Sequence, residues 1–204
     1  MLEVYKFEDK NKDEALKKGL EEISKKENEI FYTINEREGN LFKSKKYEVV
    51  IVKKEDVIKF IKEYIKKFSS LLNVDIKSEI KEKDDIINVV LVTSNNAIVI
   101  GKEGKNINSL QIILRQTVKV QTGFNVKINI DVGNYKIKKM QKIEKEVRKI
   151  AKEVLNTKID AKLDPMNSYE RRLVHTIISE YEGLYTESEG EPPNRYVVIK
   201  YKAS

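Results

Sequence analysis

The chain has 204 residues, 40% of them apolar, and its 40 basic against 33 acidic side chains leave a net charge of +7. It holds no cysteine and one histidine, His175, which excludes a disulfide framework, a thiolate nucleophile, a zinc site and a serine-hydrolase triad. The length suits one to three small domains. With no signal-peptide core after Met1 and no apolar run of about 18 residues, the expectation is a cytoplasmic protein without an integral membrane segment.

Residues 1–52 read as strand, helix, strand, strand, a small βαββ unit. Asn11 or Asp13 can cap a helix reaching about Lys25, with Leu16, Leu20 and Ile23 on one face. Ile30, Tyr32 and Ile34 alternate as in a strand, Glu38-Gly39-Asn40 supplies a turn, and Tyr47 to Val52 is the return strand. Leu41 and Phe42 would suit a partner contact or fold back on the hairpin.

Residues 55–134 form the second unit. Val57, Ile61, Tyr64, Phe68 and Leu71 line one side of a helix over 55–72. Strands near Asp75–Lys81 and Ile86–Val92 flank a charged turn, Glu82-Lys83-Asp84-Asp85. An apolar run then ends in Gly101-Lys102-Glu103-Gly104, and Ile107, Leu110, Leu114 and Val118 recur at the spacing of one helix face. Two glycines three apart make a tight turn and let another molecule approach the backbone. Lys102 and Lys105 beside a helix N-terminus favour an anion. A strand from Asn125 to Val132 alternates strictly. Gly-x-x-Gly between short helices resembles the clamp of a KH domain, which grips about four single-stranded nucleotides, and the order αββααβ matches the type II arrangement. The plainer reading is a tight helix-helix turn.

Residues 135–157 read as a basic connecting helix with a stripe of Ile137, Met140, Ile143, Val147, Ile150 and Val154. The last unit, 158–204, contains Pro165-Met166-Asn167-Ser168-Tyr169-Glu170-Arg171-Arg172-Leu173-Val174-His175. Asn167 or Ser168 can start a helix, on which Arg171 and His175 share a face. This Arg-x-x-x-His pattern resembles the R-three-H domain, a single-stranded nucleic-acid-binding module. Arg171 pairing with Glu170 or Glu180, and His175 as a mere packing residue, are the competing structural uses. Tyr196 could offer a ring to a base, and Tyr196–Tyr201 forms a closing strand.

The string Ile98-Val99-Ile100-Gly101-Lys102-x-Gly104, then Leu110-Gln111, Asp131-Val132-Gly133-Asn134-Tyr135 and Ser188-Glu189-Gly190-Glu191-Pro192-Pro193-Asn194-Arg195, is similar to the bacterial Jag family. Gly39-x-Leu41-Phe42 resembles its N-terminal domain, though Lys43 and Ser44 replace the family's glycine pair. The fold class is therefore α/β (α+β), in three small domains. The resemblance implies a single-stranded RNA-binding protein, an RNA chaperone or post-transcriptional regulator acting with a small single-KH partner protein in cell elongation and peptidoglycan homeostasis. Residues 53–72, 95–119 and 136–149 carry net charges of +3, +3 and +5, as a polyanion-binding surface requires.

The site expected from this resemblance is Gly101, Lys102, Glu103, Gly104 and Lys105 against the sugar-phosphate strand, Ile98, Ile100 and Ile107 beneath bases, and Arg171, His175 and Arg195 on a second segment. Glu103 should point away from the strand. No catalytic residue, metal or cofactor is expected. Single-stranded DNA, a homo-oligomer, or an adaptor that docks a membrane-associated or cell-division partner are the alternatives.

Overall fold

A computed structural model describes residues 1–37 and 45–202. The turn expected at 38–40, and Leu41 and Phe42, lie outside these residues. The chain divides into two compact units, Met1–Gly133 and Asn134–Ser204.

The first unit begins with β1 (Tyr5–Asp9), α1 (Lys12–Glu22), β2 (Ile30–Arg37) and β3 (Lys46–Lys53). Asn11 caps α1 by accepting the Asp13 N–H at 2.8 Å. The strands form an antiparallel sheet in the order β1-β3-β2. Ala15 and Gly19 are the α1 positions set against it, and a Cβ on Gly19 would lie 2.6 Å from the Ile51 side chain. Helix and sheet meet this closely because α1 turns its smallest residues inward; Leu16 and Leu20 flank the contact, half-buried.

No linker separates β3 from α2 (Lys54–Leu72). Lys54 is buried, with Nζ 2.8 Å from an Asp85 carboxylate oxygen, 3.1 Å from one of Glu82, and 5.1 Å from the centre of the Phe31 ring. Burial opposes its charge, but the hydrogen bonds to Asp85 and Glu82 outweigh that and raise its pKa above the ordinary lysine value. Val57, Ile61 and Ile65 carry the α2 stripe into the core, whereas Leu71 at the helix end is 86% exposed and belongs to no core.

β4 (Ile76–Lys83) and β5 (Ile86–Thr93) pair antiparallel through Asp84 and Asp85, both left-handed, as a two-residue hairpin turn needs. α3 (Asn96–Ile100) and α4 (Lys105–Thr122) follow, then β6 (Lys127–Val132), which runs parallel to β5. The sheet order is β4-β5-β6. Ile107, Leu110, Leu114 and Val118 of α4 are buried, together with Ile128, Ile130 and Val132 of β6.

The second unit contains α5 (Tyr135–Thr157), β7 (Ala161–Lys162), α6 (Ser168–Ile178), β8 (Leu184–Glu189) and β9 (Tyr196–Tyr201), with sheet order β7-β9-β8. α5, read from the sequence as a connector, is a wall of this unit: Val147, Ala151 and Val154 share its core with Val174, Ile177, Ile178, Val197 and Ile199. The partner strands β7 and β8 were not expected. Among the described residues, no helix is long and apolar enough to cross a membrane.

Asn167 and Glu170 form a capping box at the start of α6. The Asn167 side chain accepts from the Glu170 N–H, and a Glu170 carboxylate oxygen accepts from the Asn167 N–H, each at 3.0 Å. The other Glu170 oxygen lies 2.6 Å from Lys139 Nζ, so a carboxylate only 6% exposed is neutralised from α5. Lys139→Ala should destabilise the protein more than a surface substitution does. The loss should fall below the ~3–5 kcal/mol of a broken, fully buried pair, because Lys139 keeps some solvent contact; urea unfolding measures it.

Candidate nucleic-acid interface

Asn95 starts α3 by accepting the Ile98 N–H at 3.2 Å. The chain then reverses at Gly101, whose φ of 71° and ψ of 177° are accessible essentially to glycine alone. Glu103 is left-handed at φ 54°, and Gly104 enters α4 at φ 82°. Asn106 locks the reversal: its Nδ2 donates to the Ile98 carbonyl at 2.8 Å, and its side chain fills the space a Cβ on Gly101 would need, 2.5 Å away. The end of α3 is thereby fastened to the start of α4.

Lys102, Glu103 and Lys105 are exposed, and Gly104 is buried beneath them. The Gly101, Gly104 and Lys105 N–H groups are taken up by turn hydrogen bonds to Ala97, Gly101 and Lys102 carbonyls. The loop therefore offers a bare backbone surface and two lysines more than a row of vacant amides. Of the three isoleucines expected beneath bases, Ile98 is 44% exposed and Ile100 half-buried, but Ile107 is 1% exposed. Ile107 supports the loop from the core and has no surface to offer a base. Farther along α4, Gln111 accepts the Ile130 N–H at 2.8 Å, and Arg115 Nε donates to the Ile128 carbonyl at 2.7 Å. Both hold α4 against the outer edge of β6.

In the second unit Arg171 and His175 lie one turn apart on α6, and Met166 links the Arg171 side chain to the Arg195 backbone. Arg171 Nη1 donates to the Met166 carbonyl at 3.0 Å, and the Met166 N–H donates to the Arg195 carbonyl at 3.0 Å. Neither carboxylate offered as a partner for Arg171 takes that role, because Glu170 pairs with Lys139 and Glu180 with Arg148. Arg195 Nε is buried with no hydrogen-bond partner. His175 Nδ1 lies 2.6 Å from Thr186 Oγ1, and Nε2 lies 2.9 Å from Ser188 Oγ. Burial, and then the Arg171 guanidinium, hold its pKa below the ordinary histidine value. Tyr196 already has Lys162 Nζ 4.0 Å from its ring centre, so that face of the ring is covered. Among the described residues, no group of three metal-ligating side chains occurs.

Residues 58–130, from within α2 to within β6, match the family model of the KhpA/KhpB KH domain, and residues 139–201 match that of the R-three-H domain. An RNA-binding protein KhpB of Clostridium symbiosum is 31% identical over 199 residues, covering 95% of this chain and 89% of that protein. The chain belongs to the KhpB family. The KhpB of Bacillus subtilis is 29% identical over 200 residues, covering 95% of this chain and 96% of its own. That of Streptococcus pneumoniae serotype 2 is 32% identical over 113 residues, 55% of this chain and 34% of its own. This is the Jag family expected from the motifs.

From the sequence, several residues that shape these two regions of the KhpB-family chain are assigned no site role. Asn106 stands two residues after the second glycine, where a short amide can reach back. Thr186 and Ser188 are two apart on β8 and so share a face.

Two outcomes follow from the geometry. Gly101→Ala should lower both the melting temperature and nucleic-acid retention, since the added methyl meets Asn106 and the backbone leaves its allowed region; circular-dichroism melts and a binding titration read the two effects. His175, with a folded pKa below its unfolded value of about 6.5, stabilises the fold above that value and loses the contribution as pH falls below it. Stability should therefore drop more steeply below about pH 6.5 in the wild type than in His175→Gln, as melts across that range would show.

Proposed function

We propose that this chain binds single-stranded RNA in the cytoplasm through two modules and acts as a non-catalytic RNA chaperone or post-transcriptional regulator. The observation that carries the reading is the loop 101–104. Its left-handed glycines remove side chains from a reversal flanked by exposed Lys102 and Lys105, between helices fastened together by Asn106. A sugar-phosphate strand can lie against such a backbone, with the lysines neutralising it. Ile98 and Ile100 lie at the edge where bases would rest. In this reading Glu103 points away from the bound strand. Arg171 and Arg195 grip a second segment, and His175 braces that site.

The relatives named as RNA-binding proteins support RNA as the ligand. Resemblance to the family extends the proposal to cell elongation and peptidoglycan homeostasis. It also extends it to a small single-KH partner, for which Ile112, Ile113 and Val120 of α4, each at least half exposed, offer an apolar surface. The same surface favours the adaptor reading, in which protein contacts are primary; a pull-down insensitive to RNase would select it. Homo-oligomerisation through that surface and binding of single-stranded DNA are tested alongside.

Replacing Lys102 and Glu103 together by aspartate, with both glycines kept, should weaken binding of a single-stranded RNA oligonucleotide without changing the melting temperature. Wild-type binding should fall steeply as salt rises, the signature of phosphate contacts. Filter-binding titrations at several salt concentrations, with the DNA version of the oligonucleotide in parallel, measure both. Equal affinity of the two proteins, or a flat salt response, would count against the loop.

A further inference from the structure

A neutral imidazole has one N–H and one lone pair. His175 places each ring nitrogen on a hydroxyl, Thr186 at Nδ1 and Ser188 at Nε2, and burial favours its neutral form. The ring cannot treat two hydroxyls alike. One accepts the ring N–H and keeps its own O–H for a further partner. The other donates its O–H into the ring and keeps only lone pairs.

The two hydroxyls also differ in their surroundings. Ser188 lies two residues before Gly190, and a Cβ built there would sit 3.2 Å from the Asn194 carbonyl and 3.6 Å from Arg195 Cα. In the register of β8 on β9 Ser188 pairs with Val197 and Thr186 with Ile199, so Ser188 is the hydroxyl nearer Arg195, whose carbonyl accepts the Met166 N–H and whose Nε is buried without a partner. Thr186 lines a cleft of about 680 Å³ with His175, Ser179, Tyr181 and Tyr185, and Ser188 does not.

We infer that Ser188 donates its hydroxyl hydrogen to a phosphate oxygen of the bound single strand, beside Arg171 and Arg195, and that neutral His175 is the positioning residue which frees that hydrogen. The ring carries its proton on Nε2, Ser188 accepts it, and Thr186 donates to Nδ1. His175 acts through Ser188 and touches no phosphate itself. This rests on the reading that Arg171 and Arg195 hold nucleic acid, and it adds the hydroxyl and the tautomer.

The test uses the full chain, labelled with ¹⁵N, and a short single-stranded RNA of mixed sequence. His175 is the single histidine, so its two ring nitrogens give the only imidazole signals. With RNA bound at neutral pH, Nε2 should show the shift of a protonated nitrogen and Nδ1 that of an unprotonated one. Ser188→Ala should weaken binding about fivefold, the worth of one hydrogen bond of about 1 kcal/mol, and Ser188→Thr should retain most of the affinity. A bound ring protonated on Nδ1, or wild-type affinity in Ser188→Ala, overturns the inference. Arg171→Gln and Arg195→Gln are measured beside it. If both bind as the wild type does, the underlying reading of this site fails, whereas weakened binding in those two with an unaffected Ser188→Ala refutes only the role given to Ser188.

Discussion

At Gly101 the backbone turns into a region that a side chain would forbid, and the space in front of it is occupied by Asn106. These two facts require each other. Asn106 can donate to the Ile98 carbonyl because no Cβ stands between them, and the reversal stays closed because that bond ties α3 to α4. The buried row from Ile107 to Val118 holds α4 on the sheet, so the loop is fixed at the end of a rigid helix. In the proposed reading a loop held this way meets a strand without having to be ordered first, which reduces the entropy lost on binding.

The second unit prepares its site by a different route. An arginine near carboxylates would ordinarily be consumed by an ion pair. Here α5 pairs with the two acids that the sequence offers to Arg171: Lys139 takes Glu170 and Arg148 takes Glu180. Arg171 is left with a backbone carbonyl, a neutral partner that orients the guanidinium without cancelling its charge. The helix that looks like a connector in the sequence thus supplies the cations that pair with Glu170 and Glu180, and no carboxylate pairs with Arg171 among the described residues. Its core residues Val147, Ala151 and Val154 hold it where those pairings are made.

Much of this was legible before any coordinates. The periodic stripes of α2 and α4, the alternation of β6, the cap at Asn167 and both motifs appear in the sequence because each rests on local rules of spacing. What was illegible rests on contacts distant in sequence. Leu71 has the right spacing for the α2 stripe but lies past the end of the core. Ile107 has the right place for a base platform but faces inward, because the α4 stripe begins with it. β8 was missed because Leu184-Tyr185-Thr186-Glu187-Ser188-Glu189 carries little apolar alternation, and its partner β9 supplies the sheet. The pairing of Glu170 with Lys139, 31 positions apart, could not be chosen over its neighbour Arg171 from spacing alone.

The same distinction changes what the charge count means. Residues 136–149 carry a net +5 in the sequence, yet Lys139 and Arg148 neutralise acids of their own unit, and Lys149 lies 3.7 Å from a Glu153 carboxylate oxygen. Lys138, Lys142 and Lys145 are exposed on α5, and no carboxylate pairs with them among the described residues. The field a polyanion meets is therefore smaller than the count and more sharply placed. Exposed unpaired lysines attract a polyanion over about a Debye length, roughly 8 Å at physiological salt, while in the proposed reading the oriented groups at the glycine loop and around Arg171 determine where it stays. Attraction of this kind speeds encounter and is lost with salt. Geometry around Gly101 and Ser188 is far less sensitive to salt, so the two contributions can be separated by measuring association and dissociation rates as ionic strength rises.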